Sequence, residues 1–163
     1  MSKESVEAII GKAGRIAGLD GDAKMSKSVG NTVGILAEPD EIWERVRTAV
    51  TDPQRIRRDD PGRPEACNVF ALHGHVTDAD TMADIDGRCR KAEIGCVDCK
   101  KILSQSIARE FEPFRERAMQ YRERPHEVRD ILVDGARRAR DIASETMANV
   151  RERMGLDWRK ALG

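Results

Sequence analysis

No stretch of this sequence stays apolar for the roughly 18 to 20 residues that a membrane-spanning helix needs, and the opening MSKESVEAII does not have the charged-then-apolar order of a secretion signal. A cytoplasmic location and no membrane partner are therefore expected. Charge of one sign is also missing: 29 basic and 29 acidic residues give a formal net charge of zero, so any contact with nucleic acid must use a local patch. None of the three histidines has a nucleophile and an acid at suitable spacing, which removes support for hydrolase chemistry. No internal repeat is present.

With 163 residues, 39% of them hydrophobic but only 4% aromatic, the chain can bury one modest core. Helical periodicity dominates. Ser2 and the apolar positions Val6, Ile9, Ile10 and Ala13 predict a short helix over 2–13. Pro39 opens a second helix carrying Ile42, Trp43, Val46, Ala49 and Val50, which ends near Thr51-Asp52-Pro53. Residues 53–63 read as a solvated, turn-forming linker in which Asp59 and Asp60 offset Arg55, Arg57 and Arg58. Pro64 begins a helix with Val69, Phe70 and Leu72 on its buried side, closed by His73-Gly74-His75. A further helix spans 77–92, with a thin core of Met82, Ala83 and Ile85. A longer one covers 99–121 and is bent or interrupted at Pro113, and the last begins at Pro125 and holds an apolar stripe to Met154. The fold class expected is mainly α, a bundle of three to five helices.

Two features suggest chemistry. Lys24-Met25-Ser26-Lys27-Ser28, with glycines on both flanks, places two ammonium groups and two hydroxyls on a loop suited to polyphosphate, although ordinary surface loops share that composition. Cys67, Cys89, Cys96 and Cys99 fall in the pattern C-x21-C-x6-C-x2-C. In a reducing compartment that pattern favours metal or thiol chemistry over disulfides, and it suits tetrahedral zinc, an iron–sulfur cluster or unliganded thiols. His73 and His75, with four thiols nearby, fit surface or supporting roles.

The intact KMSKS followed by VGN, with the lead-in GLDGDAKMSKS, resembles the nucleotide loop of class I aminoacyl-tRNA synthetases in its tryptophanyl form. PEACNVF followed by RCRKAEIGCVDCKK resembles the bacterial subset of that family with a four-cysteine [4Fe-4S] site. The resemblance implies that Lys24, Met25, Ser26, Lys27 and Ser28 contact ATP with its magnesium in a full-length synthetase, Lys24 and Lys27 in catalytic roles. It also implies that Cys67, Cys89, Cys96 and Cys99 ligate a [4Fe-4S] cluster, zinc being the second choice.

By the same resemblance residues 1–36 are a remnant of the catalytic domain, preceding a helical anticodon-binding domain over 37–163. The partner expected is tRNA(Trp), with Lys91, Lys100 and Lys101 as phosphate contacts, and the full-length form is expected to be a homodimer. The chain would then be the C-terminal portion of a tryptophan–tRNA ligase, inactive alone because the HIGH-type signature and tryptophan pocket are absent. A freestanding tRNA- or protein-binding module stabilised by a cluster or zinc is the alternative.

Overall fold

Proline placement sets much of the architecture. In the computed structural model, which describes residues 14–156, helix α1 spans Pro39–Val46, α2 Asn68–Val76, α3 Ala79–Arg90, α4 Cys96–Glu123 and α5 Pro125–Arg153, with a 3-10 turn at Pro64–Ala66 before α2. The helix expected over 2–13 lies outside the described residues. Among the described residues there is no strand beyond one antiparallel bridge, Ala17 with Lys24, so the mainly α expectation holds. The chain divides into two compact units after Arg115.

Pro39 and Pro125 stand in the first turns of α1 and α5, where the missing N–H costs nothing. The helix expected over 77–92 begins at Ala79, because Asp78 is the cap: its Oδ1 accepts from the Thr81 amide at 2.9 Å and its Oδ2 from the Thr81 hydroxyl at 2.9 Å. Helix α4 runs through Pro113 without interruption. Arg115, two residues beyond that proline, donates to the carbonyls of Ala108 (2.9 Å) and Ala37 (3.3 Å), serving backbone oxygen on both sides of the contact between α4 and the start of α1.

The core of the first unit is aliphatic, as a ring-poor sequence requires. Ile42, Val46, Val69, Ile85 and Leu103 are fully enclosed, joined by Leu19, Ala37, Leu72, Ile94 and Ile107. His73 is buried among them rather than exposed. Its Nδ1 accepts from the Thr77 hydroxyl (2.8 Å) while Nε2 faces the Cys99 carbonyl (3.2 Å), and burial pushes its pKa down despite that carbonyl. A neutral ring protonated on Nε2 meets both partners.

The 53–63 segment is less solvated than expected. Buried Asp52 receives the Arg63 guanidinium through Nη2 at 2.6 Å and Nε at 3.1 Å, the Arg63 amide at 3.0 Å and the Gln54 amide at 3.0 Å. The Arg63 side chain, helped by those amides and opposed by burial, holds the Asp52 carboxyl well below the usual carboxylate range. A carboxyl depressed in the folded state stabilises fully above its unfolded pKa of about 3.9. That stabilisation drains away as pH falls below about 4. Asp52→Asn should cost about 2 kcal/mol at neutral pH. It should also flatten the acid side of the stability profile, as read by urea melts from pH 7 to 3.

The second unit comprises the end of α4 and α5. Arg137 reaches Asp134 at 2.7 Å and Asp141 at 3.9 Å, and Arg138 reaches Asp134 at 3.0 Å, the surface pairs that the charge spacing predicts. Gly155, at φ +69°, ends α5: its amide donates to Glu152 and the Leu156 amide to the Arg151 carbonyl at 2.8 Å, a Schellman close.

Candidate functional site

Two short segments brought side by side hold the KMSKS loop. The Gly18 amide donates to Ala23 (2.8 Å) and the Met25 amide to Ile16 (3.0 Å), forming a tight excursion in which Gly21 takes φ +76°. The Asn68 side chain reaches the Gly18 carbonyl at 2.9 Å and so fastens this excursion to the start of α2.

Asn31, which the sequence reading passed over, is the hub. Only 6% exposed, it accepts the Ser26 amide on Oδ1 at 2.8 Å and donates Nδ2 to Asp20 Oδ2 at 2.7 Å and to the Lys24 carbonyl at 3.3 Å. Its own carbonyl accepts the Leu19 amide at 2.9 Å. Both halves of one buried amide are thus satisfied by the loop it encloses, which fixes the path from Lys24 to Ser26.

Between Ser26 and Gly30 the backbone turns outward. The Ser26 and Ser28 hydroxyls lie 2.9 Å apart, the Gly30 amide donates back to Ser26 and Lys27, and Gly30 takes φ +77°. Arg45 of α1 grips the far end through the Gly30 carbonyl at 3.2 Å. Lys24 and Lys27 are exposed and Met25 is half-buried against the core. Two exposed ammonium groups therefore stand on a backbone held at both ends, with two hydroxyls between and beside them, an arrangement that can meet a polyphosphate.

The four cysteines require a correction. Cys67, Cys89, Cys96 and Cys99 border a single cavity, but its volume is about 20 Å3, room for about one water. All four are free thiols. Among the described residues no group of three or more His, Cys, Asp or Glu side chains is placed to hold a metal ion. Neither a [4Fe-4S] cluster nor zinc fits here.

The physical reason is Arg55, which also lines the cavity. Its Nη1 approaches Cys89 Sγ at 3.6 Å, while Nη2 donates to the carbonyls of Ile94 (2.8 Å) and Arg58 (2.8 Å). From the other side Gly62 packs so closely on Cys89 that a Cβ there would overlap the sulfur. Burial, followed by the neighbouring thiols, pushes Cys99 up to about 12, and burial also raises Cys89 against the pull of Arg55. These two sulfurs remain protonated at neutral pH and pack as small apolar groups around a guanidinium.

Of the lysines expected at phosphate, Lys100 instead donates to the Arg47 carbonyl at 2.9 Å, just beyond the end of α1. Lys91 and Lys101 are exposed.

Comparison with known proteins places this geometry. Residues 3–112 match the family model of class I tRNA synthetases for tryptophan and tyrosine, which describes their catalytic domain. The tryptophan–tRNA ligase of Deinococcus radiodurans is 48% identical over 141 residues, 86% of this chain and 43% of that protein. The ligase of Ralstonia nicotianae is 43% identical over 152 residues, 93% of this chain and 38% of that protein. The crystal structure of tryptophanyl-tRNA synthetase from Campylobacter jejuni, complexed with ADP and tryptophan, superposes with a TM-score of 0.76 at 32% identity, over 87% of this chain and 44% of that one.

The chain thus spans less than half the length of these relatives. Because the catalytic-domain match continues through residue 112, inside α4, the expectation that the chain is the C-terminal portion of the ligase, a KMSKS loop followed by an anticodon-reading domain with a metal cluster, is overturned.

Proposed function

Since this chain belongs to the class I tRNA synthetases of the tryptophan and tyrosine group, we propose that it forms the part of a tryptophan–tRNA ligase catalytic domain that presents Lys24–Ser28 to the phosphates of ATP. The observation that supports this most directly is the loop itself: its backbone is shaped in advance by buried Asn31, while both ammonium groups stay free in solvent.

In the reaction so proposed, the carboxylate of tryptophan attacks the α-phosphorus of ATP. The bond to the bridging oxygen breaks, tryptophanyl-adenylate forms and pyrophosphate leaves. A hydroxyl of the terminal ribose of tRNA(Trp) then takes the tryptophanyl group, and AMP leaves. Negative charge builds on the departing pyrophosphate in the first step, and Lys24 and Lys27 neutralise it. Ammonium groups on flexible stems suit this task because they follow the phosphates as the bond lengthens. The hydroxyls of Ser26 and Ser28 and the loop amides add hydrogen bonds to the same oxygens. A loop already fastened at 16–18 and 30–31 loses less entropy on closing, so more of the contact energy serves the transition state.

Binding of inorganic tripolyphosphate and ATP, measured by calorimetry at low ionic strength, tests the assignment. Lys24→Ala and Lys27→Ala should each weaken binding about tenfold, or about 1.4 kcal/mol. Lys101→Ala, remote in sequence and on α4, should leave it unchanged. Equal affinity for the wild type and both loop variants would remove these residues from phosphate binding.

A further inference from the structure

Cys96 and Cys99 stand one turn apart at the start of α4, and the Cys99 amide donates to the Gly95 carbonyl at 3.0 Å to close that turn. Their sulfurs meet different surroundings. Cys99 is 9% exposed, borders the small interior cavity and packs against His73, whose Nε2 lies 3.5 Å from its Sγ. Half-buried Cys96 borders the same cavity and also a surface cleft of about 410 Å3, walled by Thr51, Ile56, Arg57, Arg58 and Val97. Of the four cysteines it is the one that lines both spaces. A reagent in the cleft therefore meets Cys96 first and finds Cys99 behind it.

We propose that Cys96 and Cys99 form a dithiol that exchanges with anionic, low-molecular-weight disulfides, Cys96 attacking and Cys99 resolving. This goes beyond the phosphate-loop reading and does not depend on it.

Reach is the first support. Side chains three apart on a helix have Cβ atoms about 5–6 Å apart, and a disulfide needs about 3.5–4.5 Å. Cys96 is the first residue of α4, where the backbone N–H is not tied into the helical ladder, so it can make up that difference. The other two thiols are worse placed. Cys89 is shielded by Arg55 Nη1 at 3.6 Å and by the close approach of Gly62, and Cys67 packs against the core. Charge selects the reagent. Three arginines line the cleft against one acid, Asp98, which lies 4.0 Å from Arg58, and the exposed Arg57 and Arg58 can pair with carboxylates on the incoming disulfide.

The Cys96 thiolate attacks one sulfur of the reagent, the reagent's S–S bond breaks, and one thiolate leaves. Cys99 then attacks the Cys96 sulfur of the mixed disulfide and releases the second thiolate. Both protons given up by the cysteines end on the departing thiolates. The protein dithiol is thereby oxidised to a disulfide and the reagent reduced to two thiols.

The test uses the whole chain, fully reduced and then treated under nitrogen with oxidised glutathione. Trypsin, cutting after Arg88, Arg90, Lys91 and Lys100, releases Cys96 and Cys99 together on residues 92–100 and places Cys67 and Cys89 on separate peptides. The expected product is the 92–100 peptide lighter by a pair of hydrogens, with Cys67 and Cys89 still open to alkylation. Cys99→Ala should instead retain glutathione on Cys96, and Cys96→Ser should slow capture at Cys99 by at least about tenfold. Arg57→Ala combined with Arg58→Ala should slow oxidised glutathione about fivefold and leave the neutral hydroxyethyl disulfide within about twofold.

Peptides joined through Cys67 or Cys89, a first adduct on any cysteine other than Cys96, or a 92–100 peptide that stays reduced would each overturn the proposal. Equal slowing of the anionic and neutral reagents would overturn it too. The wild-type map decides the pairing by itself, so the test survives a variant that fails to fold.

Discussion

Gly18→Ala should lower folding stability by about 3 kcal/mol and release the KMSKS loop in the same step. A Cβ at position 18 would overlap the side-chain amide of Asn31 and stand 2.8 Å from its Cβ. Asn31 cannot simply step aside, because its amide is committed to the Ser26 N–H, to Asp20 and to the Lys24 carbonyl. Either the clash is borne or these bonds are given up, and each buried bond surrendered costs about 1 kcal/mol. The requirement for glycine here is one of space, since Gly18 does not have the positive φ found at Gly21 and Gly30.

A double-mutant cycle isolates the cause. In an Asn31→Gly background the obstacle is gone, and adding Gly18→Ala should cost less than about 1 kcal/mol. Urea melts of the four proteins give the coupling directly. The same penalty in both backgrounds would show that the two residues do not compete for the same space. Tripolyphosphate affinity should follow stability of the latch, falling about tenfold in Gly18→Ala.

Arg55→Ala should be comparably damaging, by about 3 kcal/mol. The guanidinium joins the 51–60 segment to the turn before α4 through the Ile94 carbonyl, closes its own segment on the Arg58 carbonyl and lies against Cys89. Its removal leaves two carbonyls short of a donor and enlarges the cavity on which all four thiols border. The second readout is chemical: an aromatic disulfide reagent should modify thiols of the native variant about tenfold faster than those of wild type, as the local opening that exposes them becomes easier. Arg55→Lys should restore little, because one ammonium group cannot span the two carbonyls that the planar fork reaches together. Unchanged thiol reactivity in Arg55→Ala would mean that something other than the guanidinium encloses the sulfurs.

These two sites show where local sequence patterns stop being informative. Helices α1 and α5 were legible because their starts are marked by proline and their buried or apolar faces recur at helical spacing. The mainly α class followed from the same signals. The helix expected from 77 begins at Ala79 behind the Asp78 cap, a detail fixed by which side chain reaches the Thr81 amide.

The residues that organise the sites were not legible, because their roles come from partners distant in sequence. Arg55 looks like one member of a solvated charge cluster until Ile94 and Cys89 close on it. Asp52 becomes a buried anchor only through Arg63, and the bond from Lys100 to the Arg47 carbonyl links residues too distant in sequence for spacing to reveal. Cysteine spacing led to a four-thiol metal site, but the four residues only border one small cavity and are not grouped to share an ion. It carried no information about the arginine that shares their cavity, and the metal expectation failed on that neighbour.

Asn31 has a further use, which comes from its grip on a single hydrogen. The Ser26 amide proton, bonded to Oδ1, can trade with deuterium only after that grip fails, so its exchange rate clocks how often the loop lets go. One peptide spanning Ser26 therefore reports the resting tension of the loop without nucleotide, partner or turnover, and a bound polyphosphate should slow that clock.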